Sequence, residues 1–408
     1  MRLFPLSHAQ DLPVWRRPEA LLALMAFAMP VSFATWSALL DNFTIREVGF
    51  DGSDTGLLHS VREIPGFLAI GVIAVIMFVR EQVLALTALM LLGLATALTA
   101  QFPTMGGLLI ITLLSSIGFH YYETVNQSLQ LQWLPVDKAP RMLGVLLSIS
   151  AAGTLVAYGA VVLTWRAFDL SFDLVYWVAG GFTAAVAALA LLLFPQFESP
   201  HPQTKKFVLR KRYWLYYAMQ FMSGARRQIF IVFAYFMMVE RFDLQVDQMT
   251  MLLMVTMVVN MTTAPLVGRA VAYFGERRAL MVEYGGLFTV FVLYAALYVY
   301  DWGVWAACAL FVANNVFFSL ALAIKTYFQK IATPSDIAPT AAVAFTINHI
   351  AAVFLPVSLG LLWLVSPMAV FATAAAMALI SLGLSTLVPR HPREGHETVF
   401  MPRLAAAE

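Results

Sequence analysis

Long apolar runs alternate with short polar breaks along the whole chain. The runs lie at about 19–40, 56–79, 83–100, 104–133, 142–164, 174–195, 213–239, 248–273, 279–300, 303–329, 338–364 and 367–388. They are rich in Leu, Ala, Val and Met and lack strict alternation, so each predicts a helix and not a strand. A spanning helix needs roughly 20 apolar residues at about 1.5 Å of rise each. Lipid offers no hydrogen-bond partner, so the backbone must satisfy itself within helices. The pattern therefore predicts an all-α polytopic membrane protein with twelve transmembrane helices. The third and sixth runs contain no charge. The fourth and tenth are longer than a span needs, which implies tilt or protrusion.

Composition removes the soluble alternative. The chain is 61% hydrophobic and 12% charged, with a mean hydropathy of +0.79. Soluble domains carry about 25% charged residues. The single cysteine, Cys308, lies inside an apolar run and excludes an intramolecular disulfide. No cleavable signal peptide is expected: Arg16, Arg17 and Glu19 precede a first run that lacks a small-residue cleavage site. The net charge of +2 decides nothing, but its distribution does. With both termini cytoplasmic, 18 of the 25 basic residues fall in inside segments. The outside loops hold only Arg46, Arg166 and Arg241, as the positive-inside bias requires. The expected location is the bacterial inner (cytoplasmic) membrane.

The polar stretch "FESPHPQTKKFVLRKRYW" separates two groups of six runs. It divides the chain into an N-terminal six-helix bundle at 1–196, a basic cytoplasmic linker at 197–212, a C-terminal bundle at 213–389 and a cytoplasmic tail at 390–408. The linker reads as a topology anchor that can rest on anionic headgroups. The halves echo each other. "LPVDKAPRMLGVLLSIS" at Leu134 matches "TPSDIAPTAAVAFTINH" at Thr333, an offset of 199 residues, with Pro135/Pro334, Asp137/Asp336, Ala139/Ala338 and Pro140/Pro339 coinciding. "VGFDGSDTGLL" echoes "ERFDLQVDQMT" at an offset of 192. Two echoes at similar offsets indicate a duplicated six-helix unit.

Between the eighth and ninth runs stands "GRAVAYFGERR", Gly268 to Arg278. With the twelve runs, the basic central loop and the related halves, the chain resembles the major facilitator superfamily of secondary transporters. Gly268, Gly275, Arg277 and Arg278 fit that family's loop motif, and Ala272 stands where its acid is expected. The first-half equivalent, "MFVREQVLAL", has lost the pattern. The resemblance implies two pseudo-symmetric six-helix bundles and assigns Arg277 and Arg278 to gating. Drug/proton antiporters of the family often carry an arginine in the fourth span and Gly-Pro in the fifth. This chain has neither, which argues against a standard multidrug antiporter.

Ionisable groups cost about 2.5–3.5 kcal/mol each at the centre of a membrane helix, so they mark cavities, partners or function. The resemblance implies that the first, fourth, seventh and tenth spans line the cavity, and most such groups fall there. The seventh holds Arg226, Arg227 and Gln228. The fourth holds His120, Tyr121, Glu123 and Asn126, with His120 and Glu123 three apart on one face. The tenth holds Asn314 and Asn315, with Lys325 near its cytoplasmic end, where it can snorkel. The first holds Asp41. Arg62 and Glu63 in the second read as a structural pair or an outer gate. Asn348 and His349 in the eleventh read as substrate contacts or interhelical hydrogen bonds.

Adjacent helical residues point about 100° apart. Either one of Arg226 and Arg227 contacts an anionic ligand while the other pairs with a carboxylate or helix-end carbonyls, or both are structural. The planar guanidinium fork suits carboxylate or phosphate. The candidate substrate contacts are thus Arg226, Arg227, Gln228, Tyr121, Asn126, Asn314, Asn315, Asn348 and His349. The candidate proton-coupling residues are Glu123, His120 and Asp41, with Arg62 and Glu63 joining Arg277 and Arg278 as gating residues. The reading is a proton-coupled secondary transporter of a small organic anion or zwitterion, working by alternating access. It is not an enzyme, has no cofactor and no nucleic-acid partner, and is expected to be a monomer. No nucleotide-binding loop is present, and nothing in the spacing of His120, Glu123, His349 and Asp41 demands a metal. The alternatives are an exporter of amphipathic drugs or lipids, and a non-transporting receptor or assembly factor. The orientation is open to test by single cysteines in a chain whose Cys308 is replaced. An impermeant thiol reagent should label cysteines at Ser53 and Gln101 in intact cells but not one at Gln203. Labelling at Gln203 would invert the topology.

Overall fold

The computed structural model describes residues 3–68, 72, 75–76, 78–134, 139–198, 209–333 and 336–400. Apart from the second, predicted to run to 79, the apolar runs fold as helices within a few residues of their predicted limits; the second is helical over Gly52–Phe67, and residues 69–71, 73–74 and 77 lie outside the described part. They are α1 (Pro18–Phe43), α2 (Gly52–Phe67), α3 (Glu81–Ala97), α4 (Met105–Trp133), α5 (Ala139–Thr164) and α6 (Phe172–Leu193). The seventh run folds as α7 (Trp214–Ile229), a π-helical turn at Phe230–Ala234 and α8 (Tyr235–Glu240). Then come α9 (Val246–Phe274) and α10 (Glu276–Tyr300). The tenth run breaks into α11 (Val304–Ser319) and α12 (Leu322–Ile331), followed by α13 (Ile337–Val365) and α14 (Pro367–Thr386). Among the described residues nine helices are long and apolar enough to cross a membrane, and α3 is a shorter apolar one.

Polar punctuation starts several of these helices. The hydroxyls of Thr104, Ser171 and Ser366 accept the amides of Gly107, Leu174 and Ala369 at 3.1–3.3 Å, capping α4, α6 and α14. Proline stands at the first position of α1 and of α14, where its missing N–H costs nothing. The only sheet among the described residues is a short parallel pair, β1 (Leu3–Pro5) with β2 (Gln196–Glu198). Gln82 fixes it, donating to Pro195 O and accepting from Phe197 N, both at 2.9 Å. The predicted linker therefore begins as ordered chain; its residues 199–208 lie outside the described part, as do Pro135, Asp137 and Pro334 of the internal echo.

By contact the chain groups into two units. The first comprises Met1–Gly49, Val61–Thr204 and Gln245–Met254; the second comprises Phe50–Ser60, Lys205–Leu244 and Val255–Glu408. In the first unit α3 packs against α4 and α6, and α1 against α5 and α6. The α3–α6 contact is backbone on backbone: a Cβ at Gly180 would lie 2.2 Å from Ala97 N, and one at Gly93 would lie 2.5 Å from Ala184 N. Small residues substitute in lipid for the hydrophobic drive that water supplies elsewhere. The start of α9 belongs to this unit, with Asp247 accepting from Arg166 at 2.8 Å.

In the second unit α10 packs against α14 and α11, and α7 against α13 and α14. The start of α2 joins it. The Ser60 hydroxyl accepts the amide of Val357 at 3.0 Å, beside Pro356 in α13, and a Cβ at Gly56 would meet Pro356 O at 2.3 Å.

Both units fasten one end of a helix pair with an acid at the start of their third helix. Glu81 accepts from Ser128 (3.0 Å) and Gln132 (2.7 Å) near the end of α4. Glu276, buried at the start of α10, pairs with Lys330 of α12 at 2.6 Å. Next to it, Arg277 is half-buried and Arg278 exposed.

At the same end, Asp336 precedes α13 and gathers the basic end of the linker. Arg210 donates twice, Nε to Oδ2 at 2.5 Å and Nη2 to Oδ1 at 2.8 Å, with Tyr213 Oη at 3.0 Å and Arg212 Nη2 at 3.3 Å. Residues beyond α14 fold back on this network. Gly395 turns with φ at +78°, the Glu397 carbonyl accepts from Tyr327 Oη at 2.6 Å, and Glu394 pairs with Arg212 at 3.5 Å. Residues 401–408 of the predicted tail lie outside the described part.

The Arg210 guanidinium, helped by Thr333 and Tyr213 and opposed by burial, holds the Asp336 carboxyl well below the usual carboxylate range. A depressed pKa adds stability that is complete above the unfolded value, about pH 4, and fades as pH falls through the folded value. Asp336→Asn should therefore lower Tm at neutral pH, with the gap to wild type narrowing below about pH 4. A gap that stays constant into acid would show that Asp336 acts by packing and not by charge.

Candidate functional site

α7 carries its polar residues one turn before the π-helical turn. Arg226 is 1% exposed and faces Glu283 of α10, which is fully buried, with Nη2 3.5 Å from Oε1. Its guanidinium carbon also lies 4.3 Å from the centroid of the Tyr284 ring. Among the described residues neither Glu283 oxygen makes a hydrogen bond. Arg227, one residue on, is half-buried and donates Nη2 to Asn348 Oδ1 of α13 at 2.9 Å. Asn348 in turn donates Nδ2 to Gln220 O at 3.1 Å. Gly224 permits this approach, because a Cβ there would stand 2.2 Å from Asn348 O. The adjacent arginines thus face different helices: Arg226 a buried carboxylate of α10, Arg227 an amide of α13.

Other polar side chains line the interior of the second unit. Gln228 is buried with neither its oxygen nor its nitrogen hydrogen-bonded, and buried Asn314 leaves Oδ1 unbonded. Asn315 turns back on its own helix, donating to Phe311 O at 2.9 Å. Buried His349 does likewise, with Nδ1 2.8 Å from Phe345 O.

The first unit holds a second polar group. Arg62 donates to its neighbour Glu63 at 2.6 Å, and its guanidinium carbon lies 5.8 Å from the Trp36 ring. The Ser116 hydroxyl donates to the Arg62 carbonyl. Asp41, buried, lies within the field of Arg62, and its Oδ1 has no hydrogen bond among the described residues. On α4, His120 and Asn126 are buried, Tyr121 is half-buried, and half-buried Glu123 accepts from Gln127 Nε2 at 2.9 Å. The partner of Glu123 is thus an amide one turn on.

Two residues escaped the sequence reading. Glu283 is a lone carboxylate in "LMVEYGGLF", inside the ninth run; the signal was the charge itself, since such a group needs a reason to be there. Glu276 stands before Arg277 and Arg278, and its sequence context gives it no separate signal.

Solved structures share the fold. A variant of the nucleoside transporter NupG is similar at TM-score 0.75 and 13% identity, covering 90% of this chain and 99% of that one. A D-xylose–proton symporter is similar at TM-score 0.71 and 12% identity, covering 91% and 98%. A POT family transporter in complex with 5-aminolevulinic acid is similar at TM-score 0.68 and 12% identity, covering 90% and 94%. No curated protein matches the sequence significantly. The family model of the Major Facilitator Superfamily matches residues 21–356, and this integral membrane protein belongs to that family.

Proposed function

We propose that the chain is a proton-coupled secondary transporter that moves a small organic anion or zwitterion by alternating access, in a bacterial cytoplasmic membrane with both termini inside. The observation that carries the anionic substrate is the pair of adjacent mid-span arginines turned toward different helices. Arg226 faces the buried Glu283 carboxylate, with Nη2 3.5 Å from Oε1. Arg227 is half-buried and held to the neutral Asn348, directly before a π-helical turn. Such turns concentrate at functional sites. A carboxylate or phosphate can take both prongs of a guanidinium fork in charge-assisted bonds. Gln228 and Asn314 bring buried amide groups with unmade hydrogen bonds, which polar parts of a solute can satisfy. Glu123, with His120 beside it and Asp41 on α1, supplies the first unit's titratable groups.

The fold itself selects no substrate. Its similar structures include a nucleoside transporter and a xylose–proton symporter. The substrate class rests on the side chains.

The test is a thermal-shift screen of purified protein against small carboxylates, phosphates and hydrophobic cations. Anions should stabilise it and hydrophobic cations should not. Arg227→Ala should weaken the anion effect about ten- to a hundredfold in affinity, as expected for losing a charge-assisted bond of about 1.5–3 kcal/mol. Arg227→Lys should recover part of it, because a point charge does not reproduce the fork. Arg226→Ala should instead lower stability, since it removes the partner of the buried Glu283 carboxyl. Stabilisation by cations alone, or an unchanged anion affinity in Arg227→Ala, would refute the reading.

A further inference from the structure

Glu283 lies about 10 Å into α10 from Glu276 at 1.5 Å of rise per residue. It has no exposed surface, and Arg226 faces it at 3.5 Å. That contact is an ion pair without a hydrogen bond, and neither carboxylate oxygen is hydrogen-bonded among the described residues. A buried pair recovers its desolvation only when its geometry is good and its remaining lone pairs and protons are satisfied. This pair meets neither condition. Taking up a proton removes one of its two buried charges and turns the carboxyl into a donor. Arg226 keeps a partner in that state. The face of Tyr284, at 4.3 Å, holds a cation whatever the charge on Glu283.

The packed neighbours bring little competition. Of the helices against α10, α14 has no ionisable side chain and α11 has only Cys308. On α12, Lys325 is exposed, Lys330 is bonded to Glu276, and Tyr327 donates to the Glu397 carbonyl. On α7, Arg227 is turned to Asn348, and Tyr216 and Tyr217 lie more than two turns before Arg226. On α10 itself, Arg277 and Arg278 lie at the start of the helix, and Tyr294 and Tyr298 lie three and four turns on.

We propose that Glu283 is a proton-binding site, and that its protonation releases Arg226 from the ion pair while Tyr284 retains the guanidinium. The step is a proton exchange alone. The Glu283 carboxylate becomes a carboxylic acid, Arg226 stays charged, and no other bond changes. As a coupling site it rests on the transporter reading: Arg226 fixes the rotation of the helix that presents Arg227, so a proton on α10 changes the hold on that helix. As a proton site it stands independently.

The test is infrared difference spectroscopy of the purified full chain, with no solute added, titrated from about pH 5 to about pH 9. Wild type should show a carboxylic-acid carbonyl band that titrates and that Glu283→Gln lacks. In Arg226→Gln the midpoint should rise, because the cation opposing protonation is gone. Should Glu283→Gln not fold, the double variant Arg226→Gln/Glu283→Gln, a neutral pair, replaces it; Glu283→Asp, which keeps the acid and shortens its reach, must move the midpoint in any case. The proposal falls if wild type has no titrating band, or if the band survives in the Gln variant that folds. It also falls if the band is lost in Glu123→Gln instead, or if its midpoint is unmoved in Arg226→Gln or Glu283→Asp. Because no solute is present, a failure of transport would leave a positive titration standing. A negative one would leave Arg227-dependent anion binding untouched.

Discussion

A guanidinium cannot lose its charge to suit a bilayer. Its side chain stays protonated at any accessible pH, so a buried arginine must be met by partners. Arg226 imposes that constraint on the second unit. Meeting it requires a carboxylate on α10, an aromatic face beside it, and α7 held in one rotation against both. Once that rotation is fixed, the next residue is turned by about 100°. Arg227 then reaches α13, where Gly224 lets the two backbones come close enough for Asn348 to receive it. One buried charge thereby sets the position of its neighbour, and the local chemistry of three helices follows.

The two units solve a shared problem with different chemistry. Each must tie the start of its third helix to the end of the next span. Glu81 does so through a hydroxyl and an amide, and Glu276 through the ammonium of Lys330. An acid in the first turn suits the positive end of the helix dipole in both. The helix geometry of the duplicated unit is kept while the partner side chains diverge, so the echo survives at Asp336 but is faint along most of the chain. The start of α2 groups with the second unit and the start of α9 with the first. These starts are the segments whose sequences echo at an offset of 192 residues.

The helices were legible because lipid leaves the backbone no alternative. Hydropathy alone placed most of their limits within three residues of the fold. Their interruptions were not legible. The π-helical turn at Phe230–Ala234 and the break after Ser319 lie in sequence as apolar as their surroundings, and only packing distinguishes them. Partners were the other blind spot. Arg226 and Arg227 stood out as charges in an apolar run, but Glu283 and Asn348 lie 57 and 121 residues away, on helices that only the fold brings near. The basic end of the linker carries a further partner the sequence does not show: Arg210 and Arg212 converge on Asp336, more than 120 residues away.

The same reasoning limits what the fold can say about the solute. At 12–13% identity, the similar structures share helix positions while the polar side chains are free to differ. Selectivity must then come from few groups, because each buried polar group with unmade hydrogen bonds costs about 1–3 kcal/mol until something satisfies it. In the second unit those groups are the amides of Gln228 and Asn314, which make no charge demand. A ligand that satisfied only amides could be neutral. The guanidinium of Arg227, which donates to the Asn348 amide, adds a charged donor beside them. A carboxylate reaching it would form a bond roughly twice as strong as a neutral acceptor could. On the reading proposed above, an anionic group with polar atoms close by gains most from this arrangement, and a plain hydrocarbon gains least.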